Sequence, residues 1–237
     1  MEDFRIVFLP GLHGTDELAW PLLSYIPATY RPTIITYPKS GPHNYDSLLR
    51  VVSENMPGPE PVLLIAESCS GPLAIRYAAE NPSRVRGVVL SASFVLNPAP
   101  RWLARLPLRT IFLLRPPLLS IRMTLTNGHD DPALSRLIRD VALNVGRELI
   151  ASRLRAVLGI DCQADLARYT GPLLYLRARR DRLVRTKSLK LIQQIRPDVR
   201  VAEIDAAHLI LQTRAADAWR AIEEFIAHAA RREGAAD

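Results

Sequence analysis

A chain of 237 residues that is 48% hydrophobic and carries a formal net charge of +7 is large enough for one α/β domain with its own core and short for two. Two cysteines, Cys69 and Cys162, are too few for a disulfide framework and lack metal-ligand spacing, so they are expected to be free thiols in a reducing compartment. The sequence has no aromatic stacking motif, zinc pattern or helix-turn-helix pattern that would tie the positive charge to nucleic acid.

The N-terminal MEDFRIVFLP carries acids where a secretory signal carries lysine or arginine. The most apolar stretch, residues 111–121, is interrupted by Arg115, Pro116 and Pro117. A soluble, cytoplasmic protein is the expectation. The positive charge is concentrated, with ten arginines in residues 97–160 against Asp130, Asp131, Asp140 and Glu148, and a nearly neutral remainder. Such a segment suits an acidic carrier protein, an anionic lipid surface or an anionic substrate, and equally a solvated arginine-rich face.

In chain order, residues 4–9 form a short, mostly apolar run that predicts a buried strand, followed by the turn Pro10-Gly11-Leu12-His13-Gly14-Thr15. Residues 16–26 predict a helix whose length Pro21 and Pro27 limit, and residues 33–37 a second strand closed by Pro38. Residues 45–56 place Leu48, Leu49, Val51, Val52 and Met56 mostly on one helical face. The stretch PVLLIAESCSGPLAIRYAAE, residues 61–80, reads as strand, sharp turn and helix, and residues 85–90 as a further strand.

Residues 97–161 contain no run that joins a sheet. They offer an apolar, arginine- and proline-rich segment and then two helices, one opening at Asp131-Pro132 and one over residues 147–158. Alternation resumes with a strand at 172–177, a helix at 187–195 capped by Thr186, a strand at 199–204 and a helix at 214–232. The prediction is an α/β, doubly wound, mostly parallel six-stranded sheet, with core segments 1–96 and 162–237 and an inserted helical cap at 97–161.

A nucleophile on a turn this sharp needs small residues two before and two after it. Ala66 and Ser70 meet that demand around Ser68, whereas a Cys69 register puts Glu67 at the crowded position. Serine needs a base and the base an orienting acid. His208 follows the last strand in EIDAAHL, and Asp181 follows the strand at 172–177 in RARRDRLV, both at carboxyl ends of strands. Asp181 also stands among Arg177, Arg179, Arg180 and Arg182, which leaves a local ion pair open; His43 and His129 lie in polar loop sequence and read as solvated.

Two backbone donors are needed for an oxyanion. The N–H of Cys69 is one; the turn after the first strand supplies the other from Leu12 or from Thr15, with Leu12 preferred because Pro10 ends the strand. His13 is then a loop side chain near the pocket and not a base.

The segments FLPGLHGT, LLIAESCSGPLA, RDRLV and AAHLILQT together resemble the α/β-hydrolase superfamily, in particular small bacterial esterase- or thioesterase-like members with LPGxxGT and AESxSGPLA motifs. The resemblance covers nearly all of the chain apart from the cap. It implies a shortened α/β-hydrolase sheet and a Ser68, Asp181 and His208 triad. It also implies hydrolysis of a carboxylic ester or thioester through an acyl-enzyme, with no metal or organic cofactor, and leaves open an acyltransferase on the same triad or a non-catalytic ligand-binding or membrane-surface protein using the basic cap. Both glycines of the common G-x-S-x-G pattern are replaced here, by Ala66 and Ser70. Substrate choice is expected in the cap, where Trp102, Leu106 and Phe112 would line an apolar acyl pocket beside Leu12 and His13, or would pack the cap onto the core.

Overall fold

The computed structural model describes residues 4–98, 125–126 and 132–233. Its strands are β1 (Arg5–Leu9), β2 (Thr33–Ile34), β3 (Val62–Glu67), β4 (Val85–Ser91), β5 (Leu173–Ala178) and β6 (Arg200–Ile204). Its helices are α1 (Trp20–Leu23), α2 (Tyr45–Glu54), α3 (Gly71–Glu80), α4 (Pro132–Val145), α5 (Arg147–Gly159), α6 (Gln163–Arg168), α7 (Thr186–Ile195), α8 (Ile210–Thr213) and α9 (Ala215–Glu233).

The strands form one sheet in the order β2-β1-β3-β4-β5-β6, and every neighbouring pair is parallel. The chain leaves β1 toward β2 on one side and returns to β3 on the other. That reversal opens a crevice above the carboxyl ends of β1 and β3, the place where open α/β sheets bind ligands.

Side-chain alternation along the strands divides the core in two. Val7, Leu9, Leu64 and Ala66 face a layer built from α2, α3, α6 and α7. Ile6, Phe8, Leu63 and Ile65 face the other layer, where α1, α8 and α9 contribute Leu22, Ile210, Trp219, Ile222 and Phe225. Burial on both faces explains why β3 reads VLLIAE with all six residues buried.

Between β4 and β5 the chain makes a helical insertion. Its two stems are tied together: Asn97 N–H donates to Ile160 C=O at 3.1 Å and Cys162 N–H to Val95 C=O at 2.8 Å. Ile138, Val141, Val145 and Leu149 of the insertion pack with Leu18 and Leu209 of the sheet domain.

Several predicted boundaries move. The second strand keeps only Thr33–Ile34, because the Tyr37 N–H bonds to Gly14 C=O at 2.8 Å and Pro38 has no donor, so this stretch follows the loop and leaves the ladder. The helix expected over residues 16–26 is reduced to α1. Thr186 begins α7 without capping it, since its hydroxyl accepts from Arg177 Nη2 at 3.0 Å. Asp131, expected to cap α4, lies outside the described residues.

Candidate active site

Strand β3 delivers Ser68 to the crevice in a backbone conformation that side chains avoid, with φ at +53°. Holding a non-glycine residue there costs about 1–3 kcal/mol and needs surroundings that over-determine it. Those surroundings are present. Ser93 Oγ donates to Ser68 C=O at 2.5 Å, Tyr45 OH donates to Cys69 C=O at 2.8 Å, and Ser70 Oγ bonds both Tyr37 OH, at 2.6 Å, and Pro10 C=O. Ala66 and Ser70 are fully buried, which is the close approach that their size permits. Gly71 is required as well, because a Cβ there would collide with Ser93 Oγ.

The sequence-predicted trio comes together here. His208 Nε2 lies 2.9 Å from Ser68 Oγ, and His208 Nδ1 lies 2.8 Å from Asp181 Oδ2. Asp181 Oδ1 accepts the backbone N–H groups of Leu183 and Val184 at 2.8 and 2.9 Å, so the carboxylate is fixed at both oxygens. Three of the four neighbouring arginines have partners elsewhere: Arg177 and Arg179 bond Glu203, and Arg180 pairs with Asp205. Burial pulls the His208 pKa down, but the hydrogen bond and charge of Asp181, aided by the Glu67 charge, outweigh it and leave the imidazole above its usual value. Burial pushes the Cys69 thiol up to about 12, so it is protonated and unreactive at neutral pH.

The turn after β1 flanks Ser68 on the other side. Leu12 and Cys69 both border the cavity. Thr15 N–H is already committed to His13 Nδ1 at 3.1 Å, which disfavours it as an oxyanion donor. The turn is held by Arg153 of α5, which is 3% exposed. Its Nη1 donates to Leu12 C=O at 3.0 Å and to His13 C=O at 2.5 Å, and its Nη2 donates to Pro38 C=O at 3.0 Å. Its guanidinium also lies over the Tyr37 ring, 5.6 Å from the centroid. Gly14, with φ at +70°, makes room for this side chain, since a Cβ would meet Arg153 Nη1.

Above Ser68 and His208 opens a cavity of about 960 Å³. Leu12, His13 and Glu67 line it beside Ser68, and Ile138, Val141, Leu154 and Val157 bring apolar surface from the insertion. Trp102, Leu106 and Phe112, expected in the acyl pocket, lie outside the described residues. So do Arg101, Arg105, Arg109, Arg115 and Arg122 of the basic segment, and His129. His43 departs from its expectation: it is 8% exposed, not solvated, and burial, with the nearby Arg153 charge, lowers its pKa.

Residues 43–212 match the family described as Serine aminopeptidase, S33. The chain belongs to this family of α/β-hydrolases. A search of curated proteins found no match. Solved structures with the same fold include an enol-lactonase from Burkholderia xenovorans LB400, 16% identical, covering 96% of this chain and 92% of that one, with a TM-score of 0.76. A thermophilic esterase from Thermogutta terrifontis is 15% identical over 96% and 91% of the two chains, TM-score 0.77. A lipase-esterase related protein from Clostridium acetobutylicum is 14% identical over 94% and 95%, TM-score 0.78.

The fold of this hydrolase recruits residues that its sequence did not single out. Glu67 ends an otherwise apolar strand and is 3% exposed, and an acid at that point of a buried run was the available signal. Arg153 is one of ten arginines in its segment and carries no local mark of its role. Ser93 and Tyr45 are ordinary residues at a strand end and a helix start, and their bonds to the elbow depend on tertiary placement. Among the described residues no cluster of metal-ligating side chains occurs, and no helix is long and apolar enough to cross a membrane.

Proposed function

We propose that this hydrolase cleaves carboxylic esters or thioesters with an apolar acyl group, through an acyl-enzyme on Ser68. The observation that carries the reading is the unbroken hydrogen-bonded row Ser68, His208, Asp181 opening onto a largely apolar cavity. Two of the solved structures that share the fold are named as an enol-lactonase and an esterase, which agrees with an ester substrate.

In this reading Ser68 Oγ attacks the carbonyl carbon while His208 Nε2 takes the hydroxyl proton. Asp181 holds the Nδ1–H, fixes the tautomer and stabilises the imidazolium. The tetrahedral oxyanion sits between the N–H groups of Leu12 and Cys69. On collapse, His208 returns its proton to the leaving alcohol or thiol. Water, deprotonated by the same imidazole, then attacks the acyl-serine and releases the acid. Leu154, Val157 and Ile138 offer the apolar wall against which an acyl chain loses water, worth about 0.8 kcal/mol per buried methylene.

An acidic carrier protein or an anionic lipid surface, meeting the basic helical cap of residues 97–161, would change how the acyl group is delivered and leave this chemistry as it stands. A panel of 4-nitrophenyl esters and matched thioesters from acetyl to dodecanoyl tests the reading. Turnover is expected to rise with chain length beyond acetyl and to vanish in Ser68→Ala; a panel in which acetyl is preferred over every longer chain would contradict the apolar acyl site.

A further inference from the structure

Beside Ser68 the cavity is bordered by two buried polar atoms with no hydrogen-bond partner among the described residues. Glu67 is 3% exposed, and its Oε2 has no hydrogen-bond partner among the described residues. His13 Nε2 is likewise buried and unpartnered, 4.0 Å from that oxygen. On its other side the ring's Nδ1 lies 3.1 Å from the Thr15 N–H and 3.0 Å from Thr15 Oγ1; taken as the acceptor of that N–H, Nδ1 leaves the ring hydrogen on Nε2. A separation of 4.0 Å is too long for a direct bond. It is the right gap for one intervening oxygen, which at about 2.8 Å from each would bond both at an angle near 90°. Leaving such groups dry and unpaired is costly, so the space between them calls for an occupant.

The two partners decide the occupant's chemistry. It must accept from Nε2–H and donate to the carboxylate. A hydroxyl or a water does both, an ammonium only donates, and a carboxylate only accepts and is repelled by Glu67. Position decides the rest. Glu67 immediately precedes Ser68, and His13 immediately follows Leu12, so the gap flanks the place where the reacting carbonyl would sit. We propose that Glu67 and His13 form a subsite for a substrate hydroxyl a few bonds from the scissile carbonyl, filled by water in the free enzyme and by the substrate during turnover. The proposal rests on the ester-hydrolase reading. It adds that the preferred ester is not purely apolar: one hydroxyl, on the acyl chain or on the alcohol, accompanies the apolar chain.

Matched esters separate the two sources. The acyl arm compares 4-nitrophenyl 3-hydroxyhexanoate with 4-nitrophenyl hexanoate; the alcohol arm compares 2-hydroxyethyl hexanoate with propyl hexanoate. In the wild type, kcat/KM is expected to favour the hydroxylated member of one arm by about tenfold, the scale of a hydrogen bond to a charged group. Glu67→Met is expected to collapse that ratio to near one, and Glu67→Gln, whose amide oxygen still accepts, to keep part of it. Fluorophosphonate labelling is run on every variant. Wild type that is not labelled refutes the hydrolase reading itself, whereas labelled protein with no hydroxyl preference in either arm overturns this subsite and leaves the parent reading standing. A preference that survives Glu67→Met, or a stronger preference for a 2-amino ester than for either hydroxylated ester, also overturns it. Should Glu67→Met fail to fold, the wild-type ratios and the graded loss in Glu67→Gln decide the matter by themselves.

Discussion

On one side of Ser68, His208 and Asp181 stand on loops leaving the adjacent strands β6 and β5, and every polar atom that the row uses has its partner. On the other side, the Gly11–Gly14 turn leaves β1 and is held from outside the sheet by Arg153, while Glu67 Oε2 and His13 Nε2 have no hydrogen-bond partner among the described residues. The first side is complete without a ligand. The second depends on the helical insertion and is unfinished until something enters the cavity. Ser68, His208 and Asp181 thus rest on the sheet, whereas the turn that carries the Leu12 N–H is tied to the insertion through one buried arginine.

The largest way to break the comparison is to remove the group that both sides serve. Ser68→Ala is expected to lower turnover on the order of 10⁶-fold, measured on 4-nitrophenyl esters, as for other serine hydrolases. Asp181→Asn attacks the finished side and is expected to cost on the order of 10⁴ in kcat, because His208 loses the partner that fixes its tautomer. It also carries a pH signature. The base works when neutral, so kcat/KM rises with pH through the His208 pKa, and the wild-type acid limb should lie above the usual imidazole value of 6.5. Removing the Asp181 charge leaves burial opposed by the Glu67 charge, the smaller of the two, and the limb should move to lower pH.

Arg153→Met attacks the other side. The Leu12 and His13 carbonyls lose their donor, the Leu12 N–H loses its aim, and kcat is expected to fall about tenfold to a hundredfold, a part of what deleting an oxyanion donor costs. A merely structural role would lower Tm and leave the kcat of the folded fraction alone; a positioning role lowers kcat more than it raises KM. The smallest effect is expected for Tyr45→Phe, which removes one bond to the elbow and should cost about 0.5–1.5 kcal/mol in urea unfolding.

The difference between the two sides also explains what the sequence disclosed. The finished side was legible because its residues stand at strand ends in chain order: Ser68 after a run that is apolar up to Glu67, Asp181 and His208 each just past a strand. The six strands and their parallel winding followed from the same alternation, although β2 stops early where Gly14 takes over its backbone bonding. The short helices α6 and α8 went unpredicted, since 6 and 4 residues carry too little periodicity to register. The second side was legible only in its backbone, through Pro10-Gly11-Leu12. Its struts, Arg153, Tyr37 and Ser70, meet the turn from positions remote in the chain, and no local pattern links Arg153 to Leu12 across 141 residues. His43 was misjudged for a related reason: a polar neighbourhood in sequence became a buried one once α5 brought Arg153 and the insertion close by.

The central claim is that Ser68, activated by His208, is the nucleophile. Fluorophosphonate labelling followed by peptide mass analysis tests it most directly. The account predicts one phosphonylated residue, Ser68, no label in Ser68→Ala, and labelling slowed by orders of magnitude in His208→Ala. A label that persists in Ser68→Ala, or that maps to Cys69 or Ser70, would contradict it.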